Sequence, residues 1–261
     1  MCSGATPSSN PTVDFGFTAI TRDVSKLTPA PSKPIHKVVP ASPASTPIPS
    51  TALAKQVQAY ALKTLPAFIY HHSMRVYHYG ISIREQQFPD WKWNERTKET
   101  YFLTCMLHDV GLTQESLRDT KLSFEFWGGY NAMEVLLGEK GERYQAESVA
   151  EAIIRHNDFG PEGLITSLGL ILQMATTFDN MGNNAFMVHP DTIKSVVKMY
   201  PRLKWNSCVV DSMKSEFDLK PWAHLTKFNP THGFFEEFID NKVMEAYDED
   251  DSGSGKCPCG H

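Results

Sequence analysis

TCMLHDVG, residues 104–111, is an apolar segment that closes on a histidine–aspartate pair and a glycine. Tyr101 and His108 recur at helical spacing, and Asn94 is a suitable N-cap, so we predict a helix whose inner face ends at His108. Gly111 is expected to stop this helix in a left-handed conformation.

The histidine–aspartate pair is a candidate metal-binding element. Adjacent residues on a regular helix point about 100° apart, but His108 and Asp109 can converge on one ion if the helix ends there. Imidazole and carboxylate together suit Zn²⁺, Fe or Mn²⁺. The dipeptide alone is common and mostly structural, so further ligands are required.

Two other predicted helices supply those ligands. His72 shares an apolar face with Tyr79, and Asp179 continues the inner stripe of a helix that carries Thr176. A carboxylate in that position costs several kcal/mol unless it is paired or bound to metal. The alternatives are a core histidine and a helix-ending aspartate that reaches solvent. The predicted metal ligands are His72, His108, Asp109 and Asp179.

The chain divides by composition into three parts. Residues 1–50 are rich in Pro, Ser, Thr and Ala and are predicted to form a largely disordered arm. Residues 51–247 show helical periodicity and almost no alternating segments, which predicts one all-α domain, a helical bundle. Residues 248–261 are predicted to form a flexible tail. Its Cys257, Cys259 and His261 offer three ligands without a fourth, so a solvated tail is favoured over a metal site.

Charge and hydropathy exclude several classes of partner. The formal net charge is -5, and no basic run stands out, so nucleic acid is not expected as a partner. No apolar run approaches the ~18 residues of a membrane span. Without a visible secretory signal, and with five scattered cysteines, a cytoplasmic location is expected. The apolar helices would allow a homo-oligomer.

The order H…HD…D resembles the HD superfamily of metal-dependent hydrolases over roughly residues 51–200. Several stretches resemble more closely the fungal cyanamide hydratases, an HD subgroup, and together they run almost the whole length of the chain. These stretches are FGFT (15–18), HSMRV (72–76), TKLSFEFWGG (120–129), AIIRH (152–156), LGLILQMATTFDN (168–180) and KPWAH (220–224).

The resemblance implies an HD-domain helical bundle and a hydro-lyase that converts cyanamide to urea. The expected cofactor is Zn²⁺, with Fe as the alternative, and the nucleophile would be a metal-bound hydroxide formed near neutral pH. His156 ends an apolar stripe and is the candidate proton donor to the nitrile nitrogen, the alternative being a surface histidine at a helix end. Thr176 is the candidate for orienting the nucleophile or holding the substrate, although a back-bonded helical threonine is common.

Candidate substrate-binding residues are Lys121, Asn157 and Trp127. Lys121 and Glu125 are four residues apart, so a helix-surface pair is the alternative for both of them. Trp127, with other aromatic residues at helical spacing, is more often simply core.

Two other functions remain open from the sequence. An HD phosphohydrolase would need cations for phosphate, and only Arg75, Lys121 and Arg155 are near the motifs. A non-catalytic HD bundle that binds a metal or ligand is the other alternative, although all four ligand positions are filled.

Overall fold

The computed structural model describes residues 10–228 and 233–249, and its architecture is helical. The described α-helices are α1 (Pro11–Asp14), α2 (Ala52–Thr64), α3 (Ala67–Gln87), α4 (Glu95–Leu107), α5 (Gln114–Asp119), α6 (Phe124–Gly138), α7 (Arg143–Arg155), α8 (Ser167–Met181), α9 (Pro190–Met199), α10 (Trp205–Leu219), α11 (Phe234–Ile239) and α12 (Glu245–Glu249). Short 3₁₀ turns span Val24–Lys26, Val110–Leu112, Ala185–Met187 and His224–Phe228. The predicted all-α class is confirmed.

A small antiparallel ribbon joins the N-terminal segment to the helices. Strand β1 (Ala19–Thr21) pairs with β2 (Leu164–Thr166), with Ile20 opposite Ile165. The ribbon fixes the start of α8, because β2 runs directly into that helix.

Helix α3 lies at the centre of the bundle, and every residue from His72 to Arg84 is buried. Its two sides pack on α4 and α8 through aromatic contacts: Tyr77 meets Phe102 at a centroid distance of 5.2 Å, and Tyr79 meets Phe178 at 4.9 Å. A helix buried all round needs partners for its polar side chains. His72 lies on this helix, so its imidazole nitrogens must find their partners in the interior.

The expected cap of α4 is confirmed, but its expected stop is wrong. Asn94 accepts from the backbone N–H of Thr97 in a capping box, and the helix ends at Leu107. Gly111 does not have a positive φ. It lies in a 3₁₀ turn, where a Cβ would come within 2.1 Å of the Phe124 carbonyl oxygen. A glycine is needed at position 111 because the start of α6 packs directly against its backbone. This contact holds the turn that follows Asp109 in place.

The described part of the N-terminal arm differs from the expectation of disorder. Residues 10–50 follow a defined path over the bundle, where side chains of α3 satisfy their backbone groups. The Gln87 side-chain oxygen accepts from the Ile35 N–H at 2.8 Å, and the Tyr77 hydroxyl donates to the Pro47 carbonyl at 2.7 Å. A proline-rich segment with few internal hydrogen bonds can therefore be held in place by its neighbours.

At the other end of the chain, α12 packs back onto the bundle, and Asp248 pairs with the buried Arg202 at 2.8 Å. The predicted cysteine–histidine cluster at 257–261 lies outside the described residues. Within the described ranges, no helix combines the length and the apolar character that crossing a membrane requires.

Candidate metal centre and active site

Three side chains from α3 and the end of α4 meet in the interior. The Nε2 atom of His108 lies 3.1 Å from Oδ2 of Asp109, and Nε2 of His72 lies 3.6 Å from the same oxygen. One ligand atom from each of the three falls within 4.8 Å of the other two, and all three side chains are buried. Because α4 ends at Leu107, the neighbouring His108 and Asp109 can face one point, as the sequence predicts.

Hydrogen bonds fix the tautomer of both histidines. Nδ1 of His72 donates to Asp179 Oδ2 at 2.6 Å, and Nδ1 of His108 donates to the Cys105 carbonyl at 2.8 Å, since neither acceptor can donate. In the neutral form of each imidazole, Nε2 is then left with a lone pair. Both Nε2 atoms are buried and have no hydrogen-bond partner within the part of the chain that the structure describes. Two unpaired imidazole nitrogens beside a carboxylate fit a divalent transition-metal ion.

The electrostatics of the cluster favour the metal-binding forms of His72 and Asp109, while Asp109 favours the protonated form of His108. Burial lowers the pKa of His72 to about 4, which keeps the imidazole neutral. Burial alone would lower the pKa of His108, but the adjacent Asp109 charge raises it overall. Although burial opposes ionisation, His108 and His72 lower the pKa of Asp109. The carboxylate is therefore the anionic ligand of the set.

Asp179, the fourth predicted ligand, is not part of the group that the structure brings together among the described residues, and it lies behind His72 instead. Arg75 donates to both of its oxygens, with Nε 3.0 Å from Oδ1 and Nη2 2.8 Å from Oδ2, and Arg202 donates to Oδ1 at 2.8 Å. Although burial opposes ionisation, the two arginines lower its pKa. With its oxygens engaged in this way, Asp179 lies behind His72, in the position from which a carboxylate can orient a metal-binding histidine.

Trp205 is a further part of the site that the sequence analysis missed. Its indole is stacked on the His72 imidazole, with ring centroids 3.8 Å apart and planes 8° from parallel. Its Nε1 donates to Asn180 at 2.7 Å. A tryptophan at the start of α10 gives no sequence signal of this role. Arg75 did give a sequence signal, because an arginine three residues after His72 on a buried helix needs an acidic partner in the interior.

His156 is brought to the cluster, as predicted. It is the C-cap of α7, its Nδ1 donates to the Ile153 carbonyl at 2.6 Å, and its ring meets His108 edge-on at 5.4 Å. Nε2 lies 3.7 Å from Oδ1 of Asp109. Burial, followed by the charge of His108, lowers the pKa of His156, so its imidazole is neutral with the Nε2 lone pair on the site side.

The remaining candidates occupy different positions. Asn157 is half-buried and donates to His156 Nε2 at 2.8 Å. Thr176 is buried on α8, with its hydroxyl bonded back to the Leu172 carbonyl at 2.9 Å. Trp127 is half-buried, and Lys121 is exposed before α6 begins.

The alternative interpretation of Lys121 and Glu125 as a helix-surface pair is wrong. Glu125 is buried, and its Oε1 lies 2.6 Å from Nδ1 of His224. Helical spacing suggested the pair, but α6 begins only at Phe124, so Lys121 is not on that helix.

An all-α bundle with a buried histidine–carboxylate cluster and a neighbouring neutral histidine defines a candidate metal-dependent enzyme. The chain is 39% identical over 211 residues to cyanamide hydratase DDI2 and to cyanamide hydratase DDI3 of Saccharomyces cerevisiae. Each match covers 80% of this chain and 90% of the yeast protein. The chain therefore belongs to the cyanamide hydratase family. No protein-family model matches it.

Proposed function

We propose that this protein hydrates the nitrile of cyanamide to give urea, at a metal ion held by His72, His108 and Asp109. The observation that carries the proposal is the pair of buried Nε2 atoms facing one carboxylate, neither of which has a hydrogen-bond partner among the described residues. The reaction is the one named in the two yeast relatives, and the whole cluster lies in a chain that matches 90% of their length.

The ligand set suits zinc, with iron as the alternative, because imidazole and carboxylate serve both metals. A bound divalent ion supplies a water that is deprotonated near neutral pH, which cyanamide hydration otherwise lacks. Of the three proposed ligands, His72 is contacted by Asp179 and Trp205: the first holds its tautomer and the second fixes its ring plane.

His156 is the proposed acid–base residue. Its Nε2 lone pair accepts the proton of the attacking water as oxygen bonds to the nitrile carbon, and then returns that proton to the nitrile nitrogen. Asn157 orients the imidazole through Nε2 and must yield this contact during the transfer. The isourea that results becomes urea when a proton moves from oxygen to nitrogen. The Thr176 hydroxyl keeps acceptor capacity and is proposed to hold the substrate.

Lys121 and Trp127 are proposed to line the approach to the site, since one is exposed and the other half-buried. The phosphohydrolase alternative is disfavoured because two of the cations that could bind a phosphate are already paired with carboxylates. Arg75 is committed to Asp179, and Arg155 pairs with Glu151 at 3.1 Å. A small neutral substrate needs no such charges.

The test is urea formation from cyanamide by the purified, metal-loaded protein, with nucleoside phosphates as competing substrates. We expect urea from the wild type, none from His72→Gln, and near wild-type rates from His71→Gln. His71 is a matched control, a histidine on the same helix whose Nδ1 lies 3.0 Å from the Pro201 carbonyl. Phosphate release without urea would contradict the proposal.

A further inference from the structure

Glu125, in the first turn of α6, is a fully buried carboxylate with one oxygen unused. Its Oε1 lies 2.6 Å from Nδ1 of His224. Its Oε2 is buried and has no hydrogen-bond partner among the residues in the described ranges. A buried carboxylate oxygen without a donor is costly, and a ligand or a water that donates to it removes this cost.

The hydrogen bonds around His224 fix which atom of Glu125 is free. Nζ of Lys227 lies 3.0 Å from Nε2 of His224 and can only donate, so Nε2 accepts and Nδ1 carries the proton. Nδ1 therefore donates to Oε1 of Glu125. Among the described residues nothing donates to Oε2, which can therefore accept a hydrogen bond from a ligand.

The same part of α6 packs on the candidate active site. The ring of Phe124 meets the His156 imidazole with centroids 5.6 Å apart. Gly128, one turn after Glu125 on the same face, would place a Cβ 3.5 Å from the His108 carbonyl oxygen. Burial lowers the pKa of His156, and the charge of Glu125 opposes that effect, which places the carboxylate within electrostatic reach of the site.

We propose that Oε2 of Glu125 accepts a hydrogen bond from the amino group of cyanamide and from an amide N–H of urea, and thereby determines specificity at this site. The inference rests on the proposed function. The amino nitrogen of cyanamide delocalises its lone pair into the nitrile, so its N–H groups act as donors. An alkyl nitrile has no N–H and could not satisfy Glu125.

A second buried carboxylate provides the matched control. Glu216 is also fully buried with an unpartnered Oε2 among the described residues, but its Oε1 accepts from the backbone N–H of Phe124 at 2.7 Å. Burial, and then the charge of Glu125, raises its pKa to about 7. If the two carboxyl groups only stabilise each other, neutralising either one should have the same effect.

The experiment compares Glu125→Gln with Glu216→Gln in the metal-loaded full chain. In Glu125→Gln, the amide oxygen is held by His224, so the amide N–H₂ takes the place of Oε2 and repels a donor. We expect KM for cyanamide and the dissociation constant for urea, measured by titration calorimetry, to rise about tenfold or more. Glu216→Gln should change both values less than about threefold, and thermal unfolding should show both variants folded.

Equal losses in the two variants would overturn the inference, as would unchanged urea binding in Glu125→Gln. A fall in kcat alone with a shifted pH profile would also overturn it, because Glu125 would then act through His156. If the wild type binds urea but makes none from cyanamide, the proposed function fails, and the titration still decides whether Glu125 is an N–H acceptor.

Discussion

Nδ1 of His72 lies 2.6 Å from Oδ2 of Asp179, and this contact connects the candidate metal centre to the rest of the protein. Behind the carboxylate stand two buried arginines, Arg75 and Arg202, and Arg202 reaches Asp248 near the end of the described chain. The orientation of one imidazole therefore depends on α3, α8 and α12 together.

Asp179→Asn should weaken both folding and metal binding. The change leaves two buried arginines without their shared anion, which costs about 3–5 kcal/mol of unfolding free energy. Loss of the partner behind His72 should reduce metal affinity about 10–100-fold. Guanidinium unfolding and competition with a zinc-binding dye measure the two effects.

Asp248→Asn is the control for that change, because it removes only the outer partner of Arg202. Its carboxylate is 24% exposed, and we expect at most about 1 kcal/mol of lost stability and unchanged metal affinity. Wild-type metal affinity in Asp179→Asn would show that the carboxylate does not position His72.

Gly111→Ala should displace the turn that follows the ligands. A Cβ there would meet the Phe124 carbonyl oxygen at 2.1 Å, so either α6 or the 108–111 backbone must move. We expect several kcal/mol of destabilisation, or a folded protein with weakened metal binding. Gly138→Ala, at the end of α6, has open space around the new Cβ and should be neutral or slightly stabilising. Equal thermal unfolding midpoints and metal affinities in the two variants would contradict the close approach of α6.

Acid should loosen the N-terminal arm through His78. This buried histidine lies 2.7 Å from the Thr46 hydroxyl, and burial lowers its pKa from 6.5 to about 4. Between these two values the unfolded chain binds the proton and the folded chain does not, so stability falls as pH drops from 6.5 towards 4. The loss attributable to His78 is up to about 3 kcal/mol.

His78→Gln should remove that part of the pH dependence, as measured by urea unfolding at pH 7.5 and pH 4.5. The comparison between variant and wild type isolates His78, because both proteins share the other titrating groups. If the stability difference between pH 7.5 and pH 4.5 is the same in His78→Gln as in the wild type, protonation of His78 costs the folded protein no stability.

Local patterns predicted much of the fold. The helical stripes and the Asn94 cap depend on neighbours along the chain, and the structure has them. The path of the arm was not predicted, because composition indicates only how much apolar surface a segment can bury by itself. The arm uses acceptors such as Gln87, which is far away in sequence.

The same limit applied to the site. His72, His108 and His156 were predicted because each continues the inward stripe of a helix, and Asp109 because it follows His108 where α4 ends. Periodicity places Asp179 inside, but it does not show that Arg75 and Arg202 occupy its oxygens. Nor could it find Trp205, whose stacking on His72 depends on how α10 crosses α3.

Elemental analysis of the dialysed full chain tests the central claim most directly, with Asp109→Ala and the exposed-residue control Asp90→Ala measured in parallel. We predict one equivalent of zinc or iron per chain in the wild type and in Asp90→Ala. Asp109→Ala should lose that equivalent while keeping its helical circular dichroism spectrum. A folded Asp109→Ala protein that keeps the full metal content, or a wild type that binds none when supplied with zinc or iron, would contradict a metal centre built from His72, His108 and Asp109.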